Sequence, residues 1–185
     1  MKALVGPAVA CVLVMALGAP YALANPSASV ELQNRLPAAT LSGESTLTFW
    51  GLDVYTARLW VAPGFQANEY ERHAFALELT YLRAFTGAEI TRRSLEEMRR
   101  QPGAEPGLLA GWQAALRSVI PDVRKGDRLL GVHRPGEGAT FFANGKVTRS
   151  LPDPAFSRLF FGIWLAPESS ELPMRAALLG RSAAR

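Results

Sequence analysis

The chain has 185 residues, 49% of them hydrophobic and 19% charged, with a formal net charge of +4. That is the composition of an ordinary globular protein, and arginines interspersed with acidic residues read as solvated surface rather than a nucleic-acid face. The single cysteine, Cys11, lies in an apolar leader, so the remainder has no disulfide, thiol nucleophile or thiolate metal site.

Lys2 precedes an almost unbroken apolar run, Ala3 to Ala19. Pro20 ends the run, and Ala22-Leu23-Ala24 places small residues where a signal peptidase reads. These features predict a signal peptide over residues 1–24, cleaved after Ala24, and a periplasmic or secreted product with no stable membrane span. The alternative, a retained anchor, wants roughly 20 apolar residues, slightly more than the run offers. Residues 25–185 suffice for one domain.

Asn25 to Leu36 reads as a tail or first strand. Thr46 to Val61 is rich in β-branched and aromatic residues and reads as a strand pair, or as one long strand broken at Gly51. Leu47, Phe49, Tyr55, Ala57, Leu59 and Val61 share one face. Trp50, Leu52, Val54 and Trp60 make the other face partly apolar, which predicts cover on both sides. Phe75 to Arg83 alternates, with Phe75, Leu77 and Leu79 on one face and Glu78 and Thr80 on the other. Tyr81 and Arg83 fall in the apolar register.

Thr86 and Glu89 form a capping box, so a helix starts there and runs to about Arg100. Ile90, Ser94 and Glu97 lie on one stripe, with Leu95 and Met98 beside it. A second helix spans Leu108 to Ile120, with Leu109, Trp112 and Leu116 at helical spacing, and Pro121 stops it. Strands return over Asp127 to Ser150, with a loop at Arg134–Gly138 and a two-residue hairpin turn at Asn144-Gly145. Asp153-Pro154 supplies an N-cap and a first-position proline for a helix carrying Phe156, Leu159, Phe160, Ile163 and Trp164. A short helix from Met174 to Leu179 ends on Gly180. Strands, two helices, strands and helices in that order make an α+β fold, an antiparallel sheet with helices on one face.

No metal or cofactor is indicated. His73 and His133 are distant in sequence, lack acidic partners at helical spacing, and read as surface or hairpin histidines. Leu41–Ser45 resembles a nucleophile elbow only superficially. Glu96 and Glu97 are helix neighbours, about 100° apart, so they form no acid/base pair. The inward register of Tyr81 and Arg83 stands out. A cation on the apolar side of a strand needs an anion, and an arginine fork beside a tyrosine hydroxyl suits a carboxylate. One reading is a site for an amphipathic acid, its head on Arg83 and its tail along Leu77, Leu79, Phe141 and Trp164. The other is an internal ion pair of Arg83 with Glu97 or Asp127. Tyr55, Ser94 and Glu97, on the adjoining faces, complete the candidate ligand-binding set with Tyr81 and Arg83. No catalytic residue is assigned.

The order of blocks adds a further constraint. Gly51–Trp60 (GLDVYTARLW), Leu79–Arg83 (LTYLR), Ser94–Met98, Pro121–Asp127 (PDVRKGD) and Phe160–Leu165 (FFGIWL) together resemble the bacterial exported chalcone isomerase-like family, over about Ser42 to Gly180. The resemblance implies an open-faced β-sandwich, with a large antiparallel sheet backed by helices and a cleft between them. The superfamily contains enzymes that close a flavanone ring and non-catalytic relatives that bind fatty acids. Phe85-Thr86-Gly87 looks like the turn that opens the enzymes' catalytic helix. Ile90 then stands where the enzymes have a tyrosine, Glu97 where they have an asparagine, and Ser45 to Thr48 holds no arginine where they have one. The groups that would stabilise a developing oxyanion are missing. Binding without catalysis is therefore expected, with Tyr81 and Arg83 available for a carboxylate. A lyase or isomerase on another substrate, or an interaction module of the cell envelope, are the alternatives.

Overall fold

In a computed structural model, residues 29–180 are described. The expected signal peptide, its cleavage site after Ala24 and Cys11 lie outside the described residues. No helix among the described residues is long and apolar enough to cross a membrane.

The described residues open with a short helix, α1 (Val30–Arg35), where a tail or strand was expected. The reason is tertiary. Leu32 and Leu36, four apart, bury one helical stripe against Trp60, Ala76, Leu130, Val132 and Phe142 of the sheet. β1 (Thr40–Phe49) and β2 (Leu52–Val61) form a hairpin with its turn at Trp50-Gly51, so the two-strand reading holds. β3 (Phe75–Tyr81) follows, then α2 (Gly87–Met98) and α3 (Pro106–Val119), then β4 (Arg128–Arg134), β5 (Gly138–Ala143) and β6 (Lys146–Leu151). α4 (Pro154–Leu165) and α5 (Leu172–Leu178) close the described chain. The strands lie in the order β1-β2-β3-β4-β5-β6, each antiparallel to its neighbours.

Local chemistry starts these helices as the sequence indicates. At α2 the Thr86 hydroxyl accepts from the Glu89 backbone N–H at 3.2 Å, and the Glu89 carboxylate accepts from the Thr86 N–H at 2.8 Å. α4 begins with the Asp153 carboxylate accepting from the Phe156 N–H at 2.9 Å.

The main core lies between one sheet face and the longer helices. It joins Ala57, Leu59, Leu77, Leu79 and Phe141 of the sheet to Leu95, Met98, Leu159, Phe161 and Leu165 of the helices. Gly43 lets α5 close on β1, since a Cβ there would stand 2.8 Å from the Leu178 carbonyl oxygen. The opposite face is only partly covered, against the expectation of cover on both sides. Trp60 is buried beside α1, whereas Trp50 and Leu52, assigned to that face by alternation, are exposed at the hairpin tip and border the cavity described below. Also on that face, the buried Glu78 carboxylate sits 3.7 Å from Arg58 and 3.4 Å from Arg128. Arg58 also pairs with Glu44, and Arg128 with Glu31 of α1. Burial pushes the Glu78 carboxyl above its ordinary range, and the two arginines oppose that shift.

His133 is a further departure. It is buried on β4, not at the surface. Its ring stacks on Phe75 with centroids 4.8 Å apart. Nε2 lies 2.9 Å from the Glu71 carbonyl, so Nε2 carries the proton, and Nδ1 lies 2.7 Å from the Ser157 hydroxyl, which is also 3.2 Å from the Gly138 carbonyl.

Candidate functional site

The β3 register ends at Tyr81, and this decides the geometry of the expected pair. The Tyr81 N–H donates to the Asp127 carbonyl at 2.8 Å, and the Tyr81 carbonyl accepts from Gly126. The strand therefore hands over to the 124–127 loop before position 83. Tyr81 points inward as expected and is 3% exposed. Arg83 does not continue that face. It lies in the bend beyond the strand and is exposed, because strand alternation no longer governs its direction.

Both residues nevertheless border the same space. Between the sheet and α2–α4 lies a cavity of about 790 Å³, lined by Tyr55, Tyr81, Arg83, Ser94 and Glu97 among others. The five candidate residues are thus brought together around one cavity. Its wall is predominantly apolar, with Leu77, Leu79, Ile90, Phe141, Phe160 and Trp164 contributing. The size and wall chemistry fall within the range of small-molecule sites, roughly 300–1,000 Å³.

The polar groups on this wall are few. The Tyr55 hydroxyl accepts from Trp164 Nε1 at 3.0 Å, which leaves its own proton to donate. Tyr81 meets Tyr55 edge-to-face at 5.9 Å, and its hydroxyl has no hydrogen-bond partner among the described residues. Ser94, on the inner stripe of α2, is buried and likewise has none. Burial raises both phenol pKa values well above the ordinary range, so both remain neutral donors at physiological pH.

The charges around the cavity are unequally satisfied. Glu97 is buried, and its carboxylate lies 2.6 Å from Arg93 and 3.9 Å from Arg100. Arg92 pairs with Glu96 at 2.8 Å. Arg83 makes no ion pair or hydrogen bond among the described residues. The internal pair with Glu97 or Asp127 is therefore not formed. Asp127 instead accepts from the Arg124 N–H at 2.7 Å and from Asn144 at 3.0 Å. Among the described residues, no three His, Cys, Asp or Glu side chains stand close enough to hold a metal ion.

Sequence reasoning missed several wall residues. Glu171, from the connection into α5, borders the cavity near Tyr55, and nothing in its local sequence marks it. Phe49, Trp50 and Leu52 border the cavity from the hairpin tip, although their expected place was inside the sheet's cover. The Phe160–Trp164 block is both core and wall. Phe161 is fully buried, while Phe160, Phe161, Ile163 and Trp164 all border the cavity.

Comparison with other proteins agrees with this architecture. A Haemophilus influenzae protein described only as uncharacterized is 27% identical over 141 residues, covering 76% of this chain and 67% of its own. The crystal structure of an Arabidopsis thaliana fatty-acid binding protein superposes with a TM-score of 0.59 at 11% identity, covering 78% of this chain and 88% of its own. At that identity the likeness speaks for the fold alone. The profile of the chalcone isomerase-like family matches residues 27–180, a span that includes every described residue, so this protein belongs to the chalcone isomerase-like family.

Proposed function

We propose that this protein binds an amphipathic, fatty-acid-like carboxylate in the cavity between sheet and helices and performs no chemistry on it. The observation that carries the reading is the unequal satisfaction of charge. Arg83 borders an apolar cavity with no acidic partner among the described residues, while Glu97 and Glu96 are held by Arg93 and Arg92. An arginine without a partner among the described residues, bordering the same cavity as the hydroxyl donors of Tyr81 and Tyr55, matches a carboxylate head. The apolar wall from Leu77 to Trp164 matches a chain, and each methylene it removes from water contributes about 0.8 kcal/mol.

The non-catalytic part rests on the wall around α2. Ile90 presents hydrocarbon to the cavity, Glu97 presents a carboxylate, and residues 45–48 contain no arginine. These groups would not stabilise a developing oxyanion. The fatty-acid binding protein of the same fold lends the reading indirect support. We further propose that residues 1–24 are a cleaved signal peptide and that the mature protein works in the periplasm or outside the cell.

Native mass spectrometry of purified protein, followed by displacement with unbranched carboxylates of graded length, tests the binding. The expected result is a copurified acid and an affinity that rises with chain length. Equal indifference to carboxylates and to the matching alcohols would refute the role given to Arg83. Turnover on a panel of enones would refute the non-catalytic assignment.

A further inference from the structure

The Trp50-Gly51 turn is costly where it stands. Both residues have positive φ, 52° and 74°, as a two-residue hairpin turn requires. Asn144-Gly145 makes the same kind of turn with φ of 48° and 81°, and there the residues suit the geometry. Tryptophan in the first position carries a steric penalty and gains no burial, for Trp50 is 89% exposed. Phe49 at 62% and Leu52 at 52% flank it, so three of the large exposed apolar residues are contiguous. All three border the cavity.

The antiparallel order sets this tip among particular neighbours. The Trp50-Gly51 turn, the 82–85 and 124–127 segments, and the Asn144-Gly145 turn all lie at one end of the sheet. Arg83, Arg124, Lys125 and Lys146 are exposed there and belong to no ion pair among the described residues. The acids at that end are turned back onto the chain. Asp53 accepts from Thr48 at 2.7 Å, Asp122 from the Gly87 N–H at 2.8 Å, Asp127 from the Arg124 N–H at 2.7 Å, and Glu89 from the Thr86 N–H at 2.8 Å. These cations are unpaired among the described residues, whereas each of these carboxylates, though still charged, is tied to a group of the chain by a hydrogen bond.

We propose that the Phe49–Leu52 hairpin tip docks on an anionic lipid bilayer, seating Trp50 and Phe49 at the headgroup boundary and turning the cavity toward the lipid. Tryptophan favours that boundary, and exposed Arg and Lys side chains are attracted to anionic headgroups. Docking does not depend on what the cavity holds, so it stands or falls separately from carboxylate binding.

The test is sedimentation with phosphatidylcholine vesicles, with and without phosphatidylglycerol, using the chain processed after Ala24 so that the apolar leader is absent. Trp50→Asn is the informative variant, because asparagine suits the turn and thermal melting will show the fold intact. The wild type should bind better when phosphatidylglycerol is present and release as salt rises. Trp50→Asn should bind about tenfold more weakly or worse, the scale of burying one large aromatic. No vesicle binding by the wild type, or equal binding by Trp50→Asn, overturns the proposal. Indifference to phosphatidylglycerol overturns the anionic assignment. A dimer in analytical ultracentrifugation that Trp50→Asn abolishes, without vesicle binding, assigns the tip to a second copy instead.

Discussion

Replacing Arg83 with glutamine and, separately, Tyr81 with phenylalanine divides binding from stability. Arg83 is exposed and makes no ion pair or hydrogen bond among the described residues, so its loss should change folding stability by less than about 0.5 kcal/mol. The Tyr81 hydroxyl likewise has no partner among the described residues. Tyr81→Phe keeps the edge-to-face contact with Tyr55 and should be close to neutral in a melting experiment. Both groups would act only when a carboxylate is present. A hydrogen bond to a charged group is worth about 1.5–3 kcal/mol, so each variant should weaken carboxylate binding by roughly 10- to 150-fold. The assay pairs thermal melting of the free protein with calorimetric titration of a long-chain carboxylate and its alcohol. Alcohol binding should be nearly unaffected by Arg83→Gln. A fall of several degrees in the melting temperature of Arg83→Gln with unchanged affinity would refute this role, since Arg83 would then have a structural partner.

Three further outcomes follow from the packing. Gly43→Ala should destabilise the protein by about 1–3 kcal/mol or more, measured by urea unfolding, because the new methyl meets the Ala177 and Leu178 carbonyls and backbone yields less readily than a side chain. Trp164→Phe should cost about 1 kcal/mol through the lost bond to the Tyr55 hydroxyl, plus a packing loss from the smaller buried ring, and a double-mutant cycle with Tyr55→Phe should isolate a coupling of about 1 kcal/mol. His133 should make the fold acid-sensitive. Burial holds its pKa below the ordinary 6.5, so the unfolded chain binds the extra proton first. Its contribution is complete above that ordinary value and declines as pH falls from there through the folded value. Unfolding midpoints measured from pH 7.5 down to about pH 5 should fall less steeply in His133→Gln.

The sequence by itself determined the features that depend on neighbours a few residues apart. The Thr86–Glu89 capping box, the Asp153-Pro154 start and the Asn144-Gly145 turn each use contacts or backbone angles available within one turn of chain. Alternation also placed Leu77, Leu79 and Tyr81 on the inner face, because the strand period of two persists as long as the strand does. It misplaced Arg83, since where β3 ends is decided by hydrogen bonds to the 124–127 loop, some forty positions onward. It placed His133 at a surface that Glu71, Phe75 and Ser157, from three other segments, cover. Tertiary packing likewise made 30–35 a helix, with Leu32 and Leu36 finding an apolar sheet face that their own sequence does not show. The cavity belongs wholly to the tertiary structure. Its existence depends on how far α2 and α4 stand from the sheet. Those distances are set by side-chain volumes summed across elements remote in sequence, which no local pattern encodes.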